Sequence, residues 1–148
     1  MGRLELRWDP ADPRDPGPCI SVVVMNSRDI LEAGRAIGLE YPEPINLRAL
    51  IDTGAAVTVI SKVFANTCRL FQTNEGSEIT AVGSIVHCGE HAGTISFPET
   101  NLRPFESIQI RSVVFIKEPN YACLIGRDIL RNWLITFDGR GKRVIIED

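Results

Sequence analysis

The stretch Ala49-Leu50-Ile51-Asp52-Thr53-Gly54-Ala55 decides how this 148-residue chain is interpreted. An apolar run typical of a buried strand ends here in a carboxylate, a hydroxyl residue and a glycine that permits a tight turn. Such a turn lifts Asp52 out of the strand and keeps it close to apolar walls. Taken alone the signal is weak, because an acidic turn at a strand end occurs in many β proteins.

Two later segments also place a glycine beside apolar strand residues. The segment Ile79-Thr80-Ala81-Val82-Gly83-Ser84 has the strand–glycine–strand form of a hairpin tip. The segment Ala122-Cys123-Leu124-Ile125-Gly126-Arg127-Asp128 follows a strand and opens a short helix. The order and spacing of the three segments carry more information than any one of them.

Together the three segments resemble the retropepsin-like aspartic proteases, the single-lobe family that includes the retroviral proteases. The resemblance covers about residues 19–138. It implies a closed, all-β barrel of the retropepsin-like acid protease type with one or two short helices, assembled as a C2 homodimer. It also implies an aspartic endopeptidase that hydrolyses peptide bonds and needs no cofactor and no metal.

The resemblance also implies roles for individual residues. Asp52 is the catalytic aspartate, Thr53 supports the loop of the partner subunit, and Gly54 offers a backbone carbonyl to the substrate. The residues expected to contact or brace the substrate site are Ala55, Ala56, Ala81, Val82, Gly83, Ser84, Ile125, Gly126 and Arg127. Val82, Gly83 and Ser84 belong to the flap that covers an extended peptide.

Two departures from the retroviral pattern lie beside the expected site. Ala56 stands where retroviral members carry an acid that pairs with the arginine of the Gly-Arg motif. Arg127 therefore needs another partner, which the sequence does not identify. Asp128 replaces the more usual Asn.

A physical argument from the residues leads to the same assembly. Hydrolysis by carboxylates needs one acid and one base around a shared water, and two close carboxylates hold a single proton between them. Asp-Ser/Thr-Gly occurs once in this sequence. The second carboxylate must therefore come from another copy of the chain, across a two-fold axis.

Short β-rich runs separated by turn signals independently predict an all-β barrel or sandwich. The predicted strands cover 19–25, 45–52, 57–61, 77–82, 85–87, 91–97, 107–116, 134–137 and 143–147. Short helices are predicted over 29–37, capped by Ser27, and over 128–132. Residues 1–18 are predicted to form a proline-rich arm, and residues 19–148 the protease domain. If family members dimerise through interleaved terminal strands, we expect the strand over 143–147 to contribute.

Composition excludes several other classes of protein. The formal charge is −3, which argues against nucleic-acid binding, and no apolar run is long enough to cross a membrane. The amino terminus lacks the apolar stretch of a signal peptide, and four cysteines without a Cys-x-x-Cys pair indicate buried, reduced thiols. We expect a cytoplasmic protein whose partners are a second copy and a peptide or protein substrate.

Alternative interpretations remain open. The fold could serve as a non-catalytic dimerisation or peptide-binding module, or as a processing domain of a larger polyprotein, which the start at Met1 disfavours. The segment His87-Cys88-Gly89-Glu90-His91 contains zinc-ligand residue types, but we interpret it as an ordinary hairpin loop. The segment Gly139–Arg143 lacks the context of a phosphate loop and is interpreted as a hairpin turn.

Overall fold

The computed structural model describes residues 1–81, 83–114 and 120–148. Strands dominate this part of the chain, and three short helices join them. The strands are β1 (Arg3–Arg7), β2 (Cys19–Met25), β3 (Ile45–Ile51), β4 (Val59–Ser61), β5 (Phe71–Ala81), β6 (Ser84–Ser96), β7 (Phe105–Val113), β8 (Cys123–Ile125), β9 (Leu134–Asp138) and β10 (Arg143–Glu147). The helices are α1 (Arg28–Ala36), α2 (Lys62–Thr67) and α3 (Arg127–Leu130). The predicted all-β class with few helices is therefore confirmed.

The larger sheet has seven strands in the order β2-β3-β8-β4-β7-β6-β5. Strand β2 also pairs with β6, through Val23 with Ser96 and Val24 with Ile95. Most pairs are antiparallel, but β3 runs parallel to β8 and β4 runs parallel to β7. The parallel pair β3–β8 places Ile51 opposite Ile125, at the end of each strand.

The smaller sheet contains β1, β10 and β9 in that order. Strand β10 lies in the middle, so its two edges are paired with β1 and β9 of the same chain. The segment 143–147, which we expected to join a partner, is thus an internal strand in this chain.

The two sheets enclose one main core. Its fully buried members lie on alternate positions of the strands, as the period of two in a strand requires. They include Val22, Val24, Ala49, Ile95, Ile110, Ile125, Val144 and Ile146. A smaller cluster of Val59, Cys88 and Val113 lies apart from the main core.

Some boundaries differ from the prediction. Strand β1 and helix α2 were not predicted, and the predicted strands 85–87 and 91–97 form one strand, β6. The segment His87–His91 therefore lies inside a strand and not in a loop. Its backbone pairs with β5 on one side and with β7 on the other. Because of this pairing, the strand continues without a break past Gly89. Residues 115 and 116 of a predicted strand lie outside the described residues.

The predicted arm over residues 1–18 is only partly irregular, because Arg3–Arg7 form β1 of the smaller sheet, whereas the predicted hairpin turn before β10 is present. Among residues 9–18 there is neither helix nor strand, and aspartate-centred turns order the segment instead: Asp9 accepts from Ala11 N, and Asp15 accepts from Gly17 N. The β9–β10 turn is closed by Asp138, which accepts from Gly141 N and from Arg143 Nε. These two bonds hold the pKa of Asp138 below its ordinary value.

His91 is a buried polar residue that joins three strands. Its Nε2 lies 2.9 Å from Ser112 Oγ on β7, and its Nδ1 lies 3.4 Å from the Leu70 carbonyl oxygen, just before β5. Burial lowers the pKa of His91, although the hydrogen bond to Leu70 opposes this shift.

This burial predicts a loss of stability in mild acid. The folded pKa of His91 lies below that of the unfolded chain, so the unfolded state binds a proton first as the pH falls through about 6.5. We expect the free energy of unfolding, measured by urea denaturation, to decrease between about pH 7 and pH 5.5. This group can contribute at most about 1.4 kcal/mol per pH unit.

The only other histidine of the sequence, His87, is exposed and serves as the control. His91→Gln should flatten the pH dependence in this window, whereas His87→Gln should retain it. An unchanged slope in His91→Gln would contradict the assignment.

Candidate active site

The Asp52 loop begins where β3 ends. The Asp52 amide donates to the Ile125 carbonyl oxygen at 3.1 Å, which continues the β3–β8 pairing by one residue. The chain then turns: Gly54 N donates to Asp52 Oδ1 at 2.9 Å, and Ala55 N donates to the Asp52 carbonyl at 3.2 Å. The carboxylate is half-buried, so it is oriented by its own turn and still accessible.

A Cβ atom directly after Thr53 would crowd the Asp52 carboxylate. A side chain built on Gly54 would begin 3.1 Å from Asp52 Oδ1, closer than an ordinary van der Waals contact. Thr53, Gly54 and Ala56 are exposed, and Ala55 is half-buried. The loop therefore presents its backbone and the Asp52 carboxylate at the surface of the chain.

The loop that enters α3 lies against the Asp52 loop. A Cβ atom on Gly126 would lie 2.5 Å from both the carbonyl carbon and the oxygen of Val57, so only glycine allows this approach. Immediately after it, Arg127 N donates to the Ala55 carbonyl at 2.9 Å. Ile125 is fully buried in the main core, so its side chain supports the loop from inside.

The partner of Arg127, which the sequence left open, is a backbone group. Arg127 Nη1 donates to the Thr53 carbonyl oxygen at 2.9 Å. The guanidinium thus fixes the loop directly and needs no acid at position 56. Through its amide and its side chain, this one residue holds two carbonyls of the Asp52 loop.

A second bracing contact, between Thr58 and Asp128, was missed at the sequence level. Thr58 Oγ1 donates to Asp128 Oδ1 at 2.8 Å, and Thr58 N donates to Asp128 Oδ2 at 2.9 Å. The hydroxyl also accepts from Gly126 N at 3.1 Å. Thr58 is completely buried, so these bonds form away from water. The sequence contains one signal of this contact, which is Asp in place of the more usual Asn at position 128. A carboxylate can accept hydrogen bonds at both of its oxygens, whereas an amide can do so at one.

The Cys123 thiol lies behind this network. It is fully buried on β8, and this burial, with a smaller contribution from the Asp128 carboxylate, raises the pKa of the thiol to about 12. All four cysteines are free, and the predicted burial holds for three of them, whereas Cys19 is only half-buried. A thiol with so high a pKa is not a nucleophile at neutral pH.

The expected flap is a β-hairpin. Strands β5 and β6 pair from Phe71–Ala92 to Ala81–Ser84, and Gly83 turns the chain with a φ of +74°. Gly83 and Ser84 are exposed at the tip, whereas Val82 lies outside the described residues. Between the described part of this tip and the Asp52 loop there is no hydrogen bond. The structure thus joins Asp52–Ala55 to Gly126 and Arg127, whereas no hydrogen bond links them to the described residues of the hairpin tip.

The His87–His91 segment does not form a metal site in the described structure. His91 is bonded to Ser112, and Cys88 lies 2.9 Å from Ser77 Oγ on β5. In the described residues no group of three or more His, Cys, Asp and Glu side chains is arranged to hold a metal ion.

Comparison with known proteins agrees with this fold and loop arrangement. A retropepsin-like aspartic protease from Rickettsia conorii has a similar crystal structure, with a TM-score of 0.59 and 13% sequence identity. The alignment covers 98% of this chain and 90% of that protein. No curated protein sequence gives a significant match. The fold is therefore that of the retropepsin-like aspartic proteases.

The family itself is shown by the sequence. The family model described as "gag-polyprotein putative aspartyl protease" matches residues 44–132, which is more than half of the chain. The matched segment begins just before β3 and ends after α3, so it contains both the Asp52 loop and the Gly126 loop. This chain belongs to that gag-polyprotein aspartyl protease family. None of its described helices is long and apolar enough to span a membrane.

The Thr58–Asp128 contact predicts a specific loss of stability. Thr58→Val keeps the shape of the side chain but leaves the Asp128 carboxylate and the Gly126 amide each without one partner. We expect the free energy of unfolding to fall by about 1–3 kcal/mol, measured by urea denaturation.

The control is Thr58→Ser, which retains the hydroxyl and should lose clearly less stability than Thr58→Val. The loss of stability in Asp128→Asn should lie between those of the Val and Ser variants, because the amide nitrogen cannot accept a hydrogen bond from Thr58 N. Equal stability of the Val and Ser variants would show that the hydroxyl does not brace the loop.

Proposed function

We propose that the chain is an aspartic endopeptidase whose active site is shared by two copies. The main support for this proposal is Asp52, which is half-exposed on a loop that Ile125, Gly126 and Arg127 hold in place. The sequence contains one such loop. Preorganisation of this kind is what a catalytic carboxylate requires, since misplacement of a reacting group lowers the rate strongly.

In the proposed reaction, one water attacks the scissile carbonyl carbon. The ionised Asp52 takes a proton from that water, while the protonated Asp52 of the partner subunit donates a proton to the carbonyl oxygen, which gives a gem-diol. The gem-diol then collapses to a carboxylic acid as the C–N bond breaks, the now protonated Asp52 gives its proton to the leaving amine nitrogen, and the other Asp52 takes a proton back from a gem-diol hydroxyl. Two adjacent carboxylates titrate as a pair and hold one proton between them, as the aspartic proteases are known to do. No metal and no cofactor takes part in this scheme.

The exposure of the loop supports the proposed assembly of two copies. Thr53 is exposed beside Asp52, where it can support the loop of a second copy across a two-fold axis. The pairing of β2 with β6 supports a closed barrel, since it joins the first and sixth strands of the larger sheet. Four free cysteines favour action in a reducing compartment, the cytoplasm.

The proposed substrate is a peptide with apolar side chains. The small cluster around Val59 and Val113 is lined by half-buried apolar residues of three regions: Val57, Ile79 and Val86 of the hairpin, and Leu124. Leu124 adjoins Ile125, whose carbonyl oxygen accepts from the Asp52 amide, so this apolar cluster is joined through the backbone to the Asp52 loop. Gly83 and Ser84 at the hairpin tip would cover an extended peptide paired as an added strand.

Replacement of Asp52 tests the proposed chemistry. Asp52→Asn keeps the shape of the side chain and the acceptor for Gly54 N, but cannot serve as the base. We expect cleavage of a diverse peptide library, followed by mass spectrometry, to fall by roughly 10²–10⁴-fold. Asp12→Asn, a change in the amino-terminal arm, is the matched control and should cleave normally.

Mixing the two proteins tests whether the site is shared. Excess Asp52→Asn added to the unchanged protein should reduce its cleavage, because mixed dimers carry a single carboxylate. A folded protein that cuts no peptide from about pH 4 to pH 8 would favour the non-catalytic binding module. Equal cleavage by Asp52→Asn would exclude Asp52 as the catalytic group.

Shortening Leu124 tests the apolar cluster. Leu124→Ala removes apolar surface beside the loop and enlarges the space there, so we expect preferred substrates to shift toward larger apolar side chains. One extra or missing methylene in such a pocket alters kcat/KM by roughly 10–200-fold. Profiles of cleaved peptides from the two proteins measure the shift, and identical profiles would place the substrate elsewhere.

A further inference from the structure

The β5–β6 hairpin extends beyond the rest of the larger sheet. Strand β6 pairs with β7 only from Gly89 onward, where Gly89 lies opposite Ser112. Among the described strands, residues Ser84–Cys88 pair with β5 alone. A two-stranded ribbon is only marginally stable by itself, so the position of the hairpin tip depends on how the hairpin is held where it leaves the sheet.

Arg111 of β7 lies at this point and contacts both strands of the hairpin. It is opposite Glu90 of β6, and Arg111 Nη2 donates to Glu90 Oε1 at 3.3 Å. On the other strand, Arg111 Nε donates to Ser77 Oγ at 3.4 Å. One side chain of the neighbouring strand thus connects both halves of the hairpin to the sheet.

The ion pair between Arg111 and Glu90 is the least exposed one in the described part of the chain. Its two side chains are 19% and 14% exposed, whereas at least one partner of every other described pair is 38% exposed or more. Water and salt screen a half-buried pair less than a surface pair. Arg111 therefore holds the hairpin more firmly than a surface contact would.

The backbone pairing within the hairpin is irregular beside this contact. The register of β5 against β6 shifts between Gln72 and Asn74 and again between Asn74 and Ser77. Such a shift disrupts the ladder locally and bends the strand. Regular pairing resumes at Ser77, the residue that Arg111 reaches. The side-chain contact thus supports the hairpin next to the place where its own ladder is interrupted.

The backbone of Arg111 is joined to the network that braces the Asp52 loop. Arg111 N donates to the Thr58 carbonyl oxygen at 3.2 Å. The Thr58 hydroxyl binds Asp128 and the Gly126 amide. Arg111 is therefore connected to the loop network by its backbone and to the hairpin by its side chain.

Arg111 also lies on the face of the sheet that carries the small apolar cluster. Directly opposed residues of neighbouring strands point to the same face, and Arg111 is opposite Val59 as well as Glu90. Val59 is a buried member of that cluster, against which Ile79 and Val86 of the hairpin pack. The contact of Arg111 with the hairpin thus forms beside the surface that we assign to the substrate.

We propose that Arg111 is a positioning residue that fixes the β5–β6 hairpin relative to the Asp52 loop, so that a peptide binds under a hairpin already in place. This inference rests on the proposed function, which assigns the hairpin tip to cover the substrate. A segment held in its binding position loses less conformational freedom when the ligand binds. In this role Arg111 acts on substrate binding and not on the chemical step.

Hydrogen exchange tests this role without any substrate. Arg111→Met keeps an apolar stem and removes the guanidinium, so we expect the amides of Glu78–Ala81 and Ser84–Cys88 to exchange at least roughly tenfold faster. The amides of Ile45–Ile51 in β3 report on the core and should keep their rates. Unchanged exchange in the hairpin of this variant would overturn the proposal.

Two double variants separate the contact from the cost of an unpaired charge. Arg111→Met with Glu90→Gln removes both charges, and its hairpin should still exchange faster because the contact is lost. Arg111→Glu with Glu90→Arg keeps an ion pair between the same two strands and should regain most of the slow exchange. The matched control is Arg28→Met, which removes an ion pair with Glu32 on α1 and should change no hairpin amide.

Cleavage kinetics provide a readout that a purely structural role would not change. A displaced hairpin lowers the fraction of the protein that is competent to bind, so in Arg111→Met KM should rise roughly tenfold and kcat should change by less than about twofold. A lower kcat at unchanged KM would indicate a loss of folded protein and would contradict the assignment.

The two proposals fail in different ways. A protein that cleaves nothing, but whose hairpin exchanges faster in Arg111→Met, would contradict the protease and retain the role of Arg111 in holding the hairpin. Cleavage that requires Asp52, with unchanged KM and unchanged hairpin exchange in Arg111→Met, would retain the protease and contradict the role of Arg111.

Discussion

The approach of Gly126 to the backbone of Val57 is the constraint on which the rest of the site depends. A Cβ atom on Gly126 would lie only 2.5 Å from the Val57 carbonyl, so no other residue fits at this position. This closeness lets Thr58 accept the Gly126 amide and donate to Asp128, and it brings Arg127 within reach of the Asp52 loop. The parallel pairing of β3 with β8 supplies the platform, because it ends both strands at the same level.

Arg127 holds the Asp52 loop through backbone carbonyl groups, which explains why no acidic residue is required at position 56. An ion pair between exposed side chains contributes little, since water and salt screen it. A hydrogen bond from Arg127 to the Thr53 carbonyl fixes the loop itself, and the amide of the same residue fixes the Ala55 carbonyl. The buried contact is the one between Thr58 and Asp128, where unmade bonds would be costly.

The sequence predicts the parts of the fold that carry their own local signals. Strands β2 and β10 have the predicted bounds, because an uninterrupted β-branched run and a hairpin turn define them. Strand β1 and the pairing of β8 depend on distant partners and have no such signal. The same holds for the site. Asp52 and Gly126 can be recognised in the sequence, whereas the contact of Arg127 with a carbonyl and the contact of the buried Thr58 with Asp128 form only when segments 70 to 74 residues apart meet.

The division between the two sheets bears on how such a site can be completed. Strand β10 is paired on both edges within its own chain, so this chain cannot lend it to a partner without breaking its own sheet. Its neighbour β9 keeps one edge open and follows α3 directly, while α3 begins with the residue that holds the Asp52 loop. Three residues, 131–133, thus join the outer strand β9 to the helix whose first residue holds the Asp52 loop. Because its middle strand is paired on both edges within the chain, the smaller sheet can form in a single copy, and under the proposed function another copy then supplies only the second carboxylate.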